Sequence, residues 1–259
     1  MIDLPDISLA HLGRELHRRY DEFGPLLVYD DGNKRYLSFG TADEQSCQLK
    51  SAPLKLQHDY ARAMAGVLVQ FPEPERLRDV TLLGTGGGTL ASALHHYLPL
   101  TQIQAVDVRA AVFQVAYQYF GLPRGPRLTA HVCDASQYLR DSSGQCDLLV
   151  CDLYQADGLD PLVLQPGFLS DCAAHLHDDG WLVLNLWKEH RTQSDSLQHL
   201  KQLFPTLLHN TTADGNWILW ASRTTAQPRD AARRHCRRLS DLLGFNLWSQ
   251  VKGFYRHAS

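Results

Sequence analysis

A chain of 259 residues with formal net charge −3 can bury a sizeable core as one main domain, and it lacks the overall basic character of a nucleic-acid or anionic-membrane binder. Its six cysteines show no C-x-x-C spacing, its 13 histidines form no H-E-x-x-H arrangement, and no apolar run reaches the roughly 18 residues that span a bilayer. The expectation is a cytoplasmic protein with reduced thiols and no metal, meeting neither nucleic acid nor membrane.

In chain order, Ile7, Leu9, Leu12 and Leu16 stand among charges and predict a short surface helix within residues 1–22. Residues 24–40, GPLLVYDDGNKRYLSFG, are two β-prone runs around Asp-Asp-Gly-Asn, the turn chemistry of a hairpin. Together they outline an amino-terminal unit, residues 1–53. A helical pattern follows over residues 54–69 and ends in FPEPERLRDV, whose two prolines precede the first core strand.

From there apolar strands alternate with amphipathic helices. Strands are predicted at 80–84, 102–108, 127–132, 146–154 and 180–187, with helices at 89–98, 110–120, 135–141, 165–177 and 194–204. The runs TLLHNTT and NWILWASR flank Ala-Asp-Gly and predict a closing antiparallel hairpin. This order predicts an α/β fold over residues 54–225: a doubly wound, mainly parallel seven-stranded sheet of the S-adenosylmethionine-dependent methyltransferase type. Residues 226–259 hold an arginine-rich helix, RDAARRHCRRLSDLLGF. Its stripe Ala232, Cys236, Leu239 and Leu243 predicts docking on the domain with the arginines outward, in preference to nucleic-acid binding.

The chemistry concentrates at strand ends. Gly84-Thr85-Gly86-Gly87-Gly88 follows the first core strand and opens a helix, so its backbone N–H groups face a ligand with no Cβ in the way. Asp107 ends the second strand, where a carboxylate can accept hydrogen bonds from both ribose hydroxyls of a bound adenosine. Asp134-Ala135 follows the third strand at the position suited to the adenine edge, although Asp134 is also a good helix cap by itself. A dinucleotide fingerprint wants a glycine where this chain has Thr89.

From about residue 24 to 190 the chain resembles the spermidine synthase (polyamine aminopropyltransferase) family, above all its divergent bacterial spermidine-synthase-like branch. The residues that carry this are the hairpin, LQHDYARAM, LLGTGGGTL, IQAVDVRAAVFQVAYQYFGLP, VCDASQYL and CDLLVCDLYQADGLDP. The resemblance implies ribose binding by Asp107, adenine binding by Asp134, a catalytic aspartate at Asp152, an active-site tyrosine at Tyr60 and a nucleotide-binding glutamine at Gln45. It also implies a decarboxylated S-adenosylmethionine donor, a small-molecule amine acceptor contacted by Tyr154, Gln155 and Asp157, and a homodimer.

Two departures bear on the reaction. The family loop G-G-G-D-G-G grips the donor's amino group through its aspartate, and here that position falls on Gly87. The family's D-S-S-D-P segment reads Asp152-Leu153-Tyr154-Gln155, so the second carboxylate is replaced by Gln155, with Asp157 and Asp160 just downstream. Intact S-adenosylmethionine carries a carboxylate that a loop aspartate would repel, so its loss tolerates methyl transfer. Three readings stand: aminopropyl transfer by in-line displacement at the sulfonium carbon, S-adenosylmethionine-dependent methyl transfer on the same fold, and adenosine-nucleotide binding without catalysis.

Overall fold

The computed structural model describes residues 13–40, 44–156 and 158–255. Its first element corrects the sequence expectation. Residues Arg14–Asp21 form a strand, β1, where a helix was predicted, and Ile7, Leu9 and Leu12 lie outside the described residues. RELHRRYD has little apolar content, and it suits a sheet edge that pairs only with β2 (Gly24–Asp31). Strands β3 (Lys34–Ser38) and β4 (Glu44–Leu49) complete a four-stranded antiparallel sheet. The predicted hairpin is the β2–β3 pair, in which Asp31 meets Lys34 across Gly32-Asn33. Leu26, Val28, Leu37 and Phe39 of this sheet pack on Ala111, Val112, Val115 and Phe120.

Helix α1 (Asp59–Ala65) begins later than the sequence pattern suggests and tightens into a 3-10 turn over Gly66–Gln70. The Leu56 carbonyl is taken by the Arg62 guanidinium at 2.8 Å, which leaves residues 54–58 outside the helix. The main sheet is then built by alternation, through β5 (Asp79–Leu83), α2 (Thr89–Tyr97), β6 (Gln102–Asp107), α3 (Ala110–Tyr119), β7 (Leu128–Val132), α4 (Ala135–Asp141) and β8 (Cys146–Cys151). A two-stranded ribbon, β9 (Tyr154–Gln155) with β10 (Gly158–Leu159), precedes α5 (Pro166–Ala174). The sheet finishes with β11 (Leu176–Trp187), α6 (Ser194–Leu203), β12 (Thr206–Thr211) and β13 (Asn216–Ser222).

The seven strands lie in the order β12-β13-β11-β8-β5-β6-β7, parallel except for β13, which runs antiparallel to both neighbours. Every residue of β13, NWILWAS, is buried, whereas β12 is mostly half-buried. The later strand therefore takes the inner place and the earlier one the edge. Apolar side chains cover both faces: α1, α2 and α7 (Arg229–Leu243) pack on one, α4, α5 and α6 on the other.

Helix α7 docks as its pattern predicts, with Ala232, Cys236, Leu239 and Leu243 buried and Gly244 closing it in the left-handed region. Burying each leucine is worth about 1.5–3 kcal/mol, which anchors a helix whose remaining surface is mostly charged. The segment beyond it, α8 (Leu247–Val251) and a 3-10 turn Lys252–Tyr255, lays Phe254 flat on Trp220 with ring centroids 3.6 Å apart. Among the described residues no helix is long and apolar enough to cross a membrane.

Candidate active site

Strand order reverses on either side of β5, so the loops after β5, β6, β7 and β8 splay around a crevice at their carboxyl ends. A cavity of about 1110 Å³ occupies it. Gly84 stands at its floor with φ +89°, donating its N–H to Val106 O at 2.9 Å, and a Cβ there would strike the Asp152 carbonyl. Its bareness is therefore geometric, because it lets the ends of β5 and β8 close on each other.

Gly84, Thr85 and Gly86 line the cavity, whereas Gly87 and Gly88 do not. The Gly87 N–H donates to Ser46 Oγ at 2.8 Å, and a side chain on Gly87 would be driven into Ser46 and Phe120. Gly88, at φ +71°, caps α2 against Leu122. Gly86 therefore meets the cavity, and Gly87, the position on which the family's loop aspartate falls, packs against Ser46 and Phe120.

At one end of the cavity Asp107 closes β6. Its Oδ2 accepts the Thr85 N–H and its Oδ1 the Arg109 N–H, both at 3.0 Å. Burial pushes its pKa up, and those N–H bonds act in the opposite direction. Asp134 caps α4 by accepting the Gln137 N–H at 3.0 Å, and it also stands on the cavity wall with Cys133 and Ala135. Both its structural role and its exposure to the cavity are realised. Gln45 reaches the wall from β4, a strand of the amino-terminal sheet.

At the other end Asp152 follows β8. Burial lifts its pKa to about 6, against the hydrogen bond from Asn185 Nδ2 to its Oδ1 at 2.8 Å. Asn185 is held in turn by Asn216, whose Nδ2 donates to Asn185 Oδ1 at 3.0 Å, while the Tyr154 hydroxyl donates to the Asn185 carbonyl at 3.3 Å. The Tyr60 hydroxyl donates to the Gln45 carbonyl at 3.0 Å. Burial first, and the Asp152 charge second, push both tyrosine pKa values up, so the phenols stay protonated. His58 stacks on Tyr60 at 5.1 Å, and burial pushes its pKa down to about 4, keeping it neutral. Tyr154 meets Trp187 edge-on at 6.2 Å.

Gln155 donates to Asp160 Oδ2 at 3.0 Å, and Asp160 Oδ1 accepts the Leu162 N–H. Asp157 lies outside the described residues. The cavity thus gathers Tyr60, Gln45, Gly84, Gly86, Asp107, Asp134, Ala135, Asp152, Tyr154 and Gln155. Among the described residues seven carboxylates line it, those of Glu22, Glu44, Asp107, Asp134, Asp152, Asp160 and Asp214, against the single guanidinium of Arg109. That guanidinium is paired with Asp21 at 2.8 Å. Glu44, Ser46, Asn185, Trp187, Asp214 and Asn216 were not singled out from sequence. Only Asn185 carried a local signal, as a polar residue inside the apolar run GWLVLNLW.

Residues 57–218 match the model of the spermine/spermidine synthase domain. The chain is 26% identical over 250 residues to the polyamine aminopropyltransferase of Neisseria meningitidis serogroup A, covering 94% of each. It is 29% identical over 164 residues to the mouse eEF1A lysine and N-terminal methyltransferase, covering 58% of this chain and 24% of that one. Among solved structures, a probable spermidine synthase from Corynebacterium glutamicum superimposes with a TM-score of 0.74 at 19% identity, over 95% of this chain and 96% of that one.

Proposed function

Because the chain belongs to the spermine/spermidine synthase family, we propose that it transfers the aminopropyl group of decarboxylated S-adenosylmethionine to a polyamine-type acceptor. An acceptor amine is protonated at neutral pH and cannot attack until it loses that proton. Asp152, with a pKa of about 6, is ionised at that pH yet poorly solvated, so it attracts the ammonium group and accepts its proton. The freed lone pair attacks the aminopropyl carbon bonded to sulfur. A C–N bond forms, the C–S bond breaks, and its electron pair neutralises the sulfonium to leave 5′-methylthioadenosine.

The remaining side chains position the two substrates. Asp107 and Asp134 take the ribose and adenine, and Gly84, Gly86, Ala135 and Gln45 border the rest of the donor. The hydroxyl oxygens of Tyr60 and Tyr154 flank Asp152 as acceptors for the amine, and Gln155 and Asp160 border the far end. Holding the reacting atoms about 3–3.5 Å apart in line contributes much of the rate.

The observation that carries this reading is the charge of the cavity, seven carboxylates against one already paired guanidinium among the described residues, which suits a substrate with several positive charges. Methyl transfer is the second reading. It is favoured by Gly87, where the loop carries no carboxylate to repel the carboxylate of intact S-adenosylmethionine. Calorimetric titration separates the two: tighter binding of the decarboxylated donor is expected, and preference for the intact donor would transfer the assignment to methyl transfer.

A further inference from the structure

Six large apolar side chains are strongly exposed among the described residues, and two of them, Phe23 at 42% and Val108 at 45%, line the cavity. Both stand at its Asp107 end. We infer that Phe23, at the tip of the β1–β2 hairpin, forms the outer wall of the nucleoside subsite, with its ring covering the adenine of the donor. The inference rests on the donor reading proposed above and adds a contact from the amino-terminal sheet.

A scattered exposed aromatic needs no explanation. This one is held in place. The Asp21 carboxylate accepts the Phe23 N–H at 3.0 Å and pairs with the Arg109 guanidinium through two hydrogen bonds, at 2.8 and 3.1 Å. Arg109 Nη2 also donates to the Gly24 carbonyl at 3.0 Å. The guanidinium is buried, with its central carbon 4.8 Å from the centroid of Phe39 and 5.8 Å from that of Phe23. The backbone N–H of the same residue holds Asp107 Oδ1.

Arg109 is therefore a positioning residue that ties the carboxylate at the end of β6 to the hairpin tip. An apolar face fixed beside a nucleoside site before binding loses little freedom when a base covers it. Val108 supplies a second apolar surface at the same rim.

Calorimetry with 5′-methylthioadenosine tests the inference on three proteins: wild type, Phe23→Ala and Phe23→Trp. Because the side chain is exposed, neither substitution should lower the melting temperature. Phe23→Ala is expected to weaken binding about tenfold, equivalent to about 1.4 kcal/mol and within the range for an aromatic stacked on a base. Phe23→Trp should stay within about twofold of wild type, and the acceptor KM should not change in either variant. Wild-type affinity in Phe23→Ala overturns the inference and leaves the donor reading intact. Failure of the wild type to bind overturns the donor reading and this inference with it.

Discussion

Replacing Asp152 with asparagine should stop catalysis and also make the folded protein more stable at neutral pH. Burial raises the carboxyl pKa from 3.8 to about 6, so the folded state binds this proton more tightly than the unfolded chain does. Below pH 3.8 the group is neutral in both states and the charge penalty is absent. As pH rises toward about 6 that advantage is lost, and above it the folded state carries the whole cost of a poorly solvated charge. At about 1.4 kcal/mol per pH unit the gap amounts to about 3 kcal/mol, of which about 2 kcal/mol develops between roughly pH 4.5 and 7.5.

An asparagine is nearly isosteric, and its side-chain carbonyl can still accept the hydrogen bond from Asn185. Urea unfolding of wild type and Asp152→Asn at those two pH values reads the difference directly. The stability gained by substitution should be about 2 kcal/mol larger at the higher pH. A gain that is the same at both, or a loss confined to pH 7.5, would refute the claim that burial holds this carboxylate in a costly ionised state.

Removing the donor from that carboxylate moves the same titration. Asn185→Val, which suits a strand and offers no N–H, should shift the acid limb of the kcat/KM profile upward by about one pH unit from its starting point near 6, since a hydrogen bond to a charged group is worth about 1.5–3 kcal/mol. An unmoved limb would separate Asn185 from catalysis. Gly84→Ala should cost at least about 2 kcal/mol in stability and most of the turnover, because it combines a positive φ with a collision against the Asp152 carbonyl. A variant that melts and turns over like wild type would remove that account of the glycine.

The sheet was legible because its strands are short apolar runs separated by amphipathic helices; the run predicted as one strand over 146–154 instead ends at Cys151, and Tyr154 belongs to the separate ribbon strand β9. The stripe at Ala232, Cys236, Leu239 and Leu243 was equally readable, since four apolar positions at helical spacing leave little other use for them. Strand β1 was misread for the opposite reason. RELHRRYD has little apolar content of its own, and only pairing with the buried β2 makes it a strand. Asp107 and Asp134 could be placed because they stand at or just beyond a strand end, a local rule, whereas Asp152 was placed by the family resemblance. Ser46, Asn185, Asn216 and Phe23 could not. They meet the cavity through contacts between segments distant in the chain, and nothing near them in sequence records that meeting. The same limit applies at the loop, where only the packing of Ser46 against Gly86 and Gly87 shows how closely the amino-terminal sheet meets it.

The most direct test of aminopropyl transfer is product analysis by mass spectrometry, with the protein given decarboxylated S-adenosylmethionine and a panel of mono-, di- and triamines, and in parallel the intact donor. The account predicts 5′-methylthioadenosine together with an amine heavier by one aminopropyl group, preference for acceptors with more than one positive charge, and no product from Asp152→Asn. S-adenosylhomocysteine and a methylated acceptor formed from the intact donor, with no product from the decarboxylated one, would contradict it.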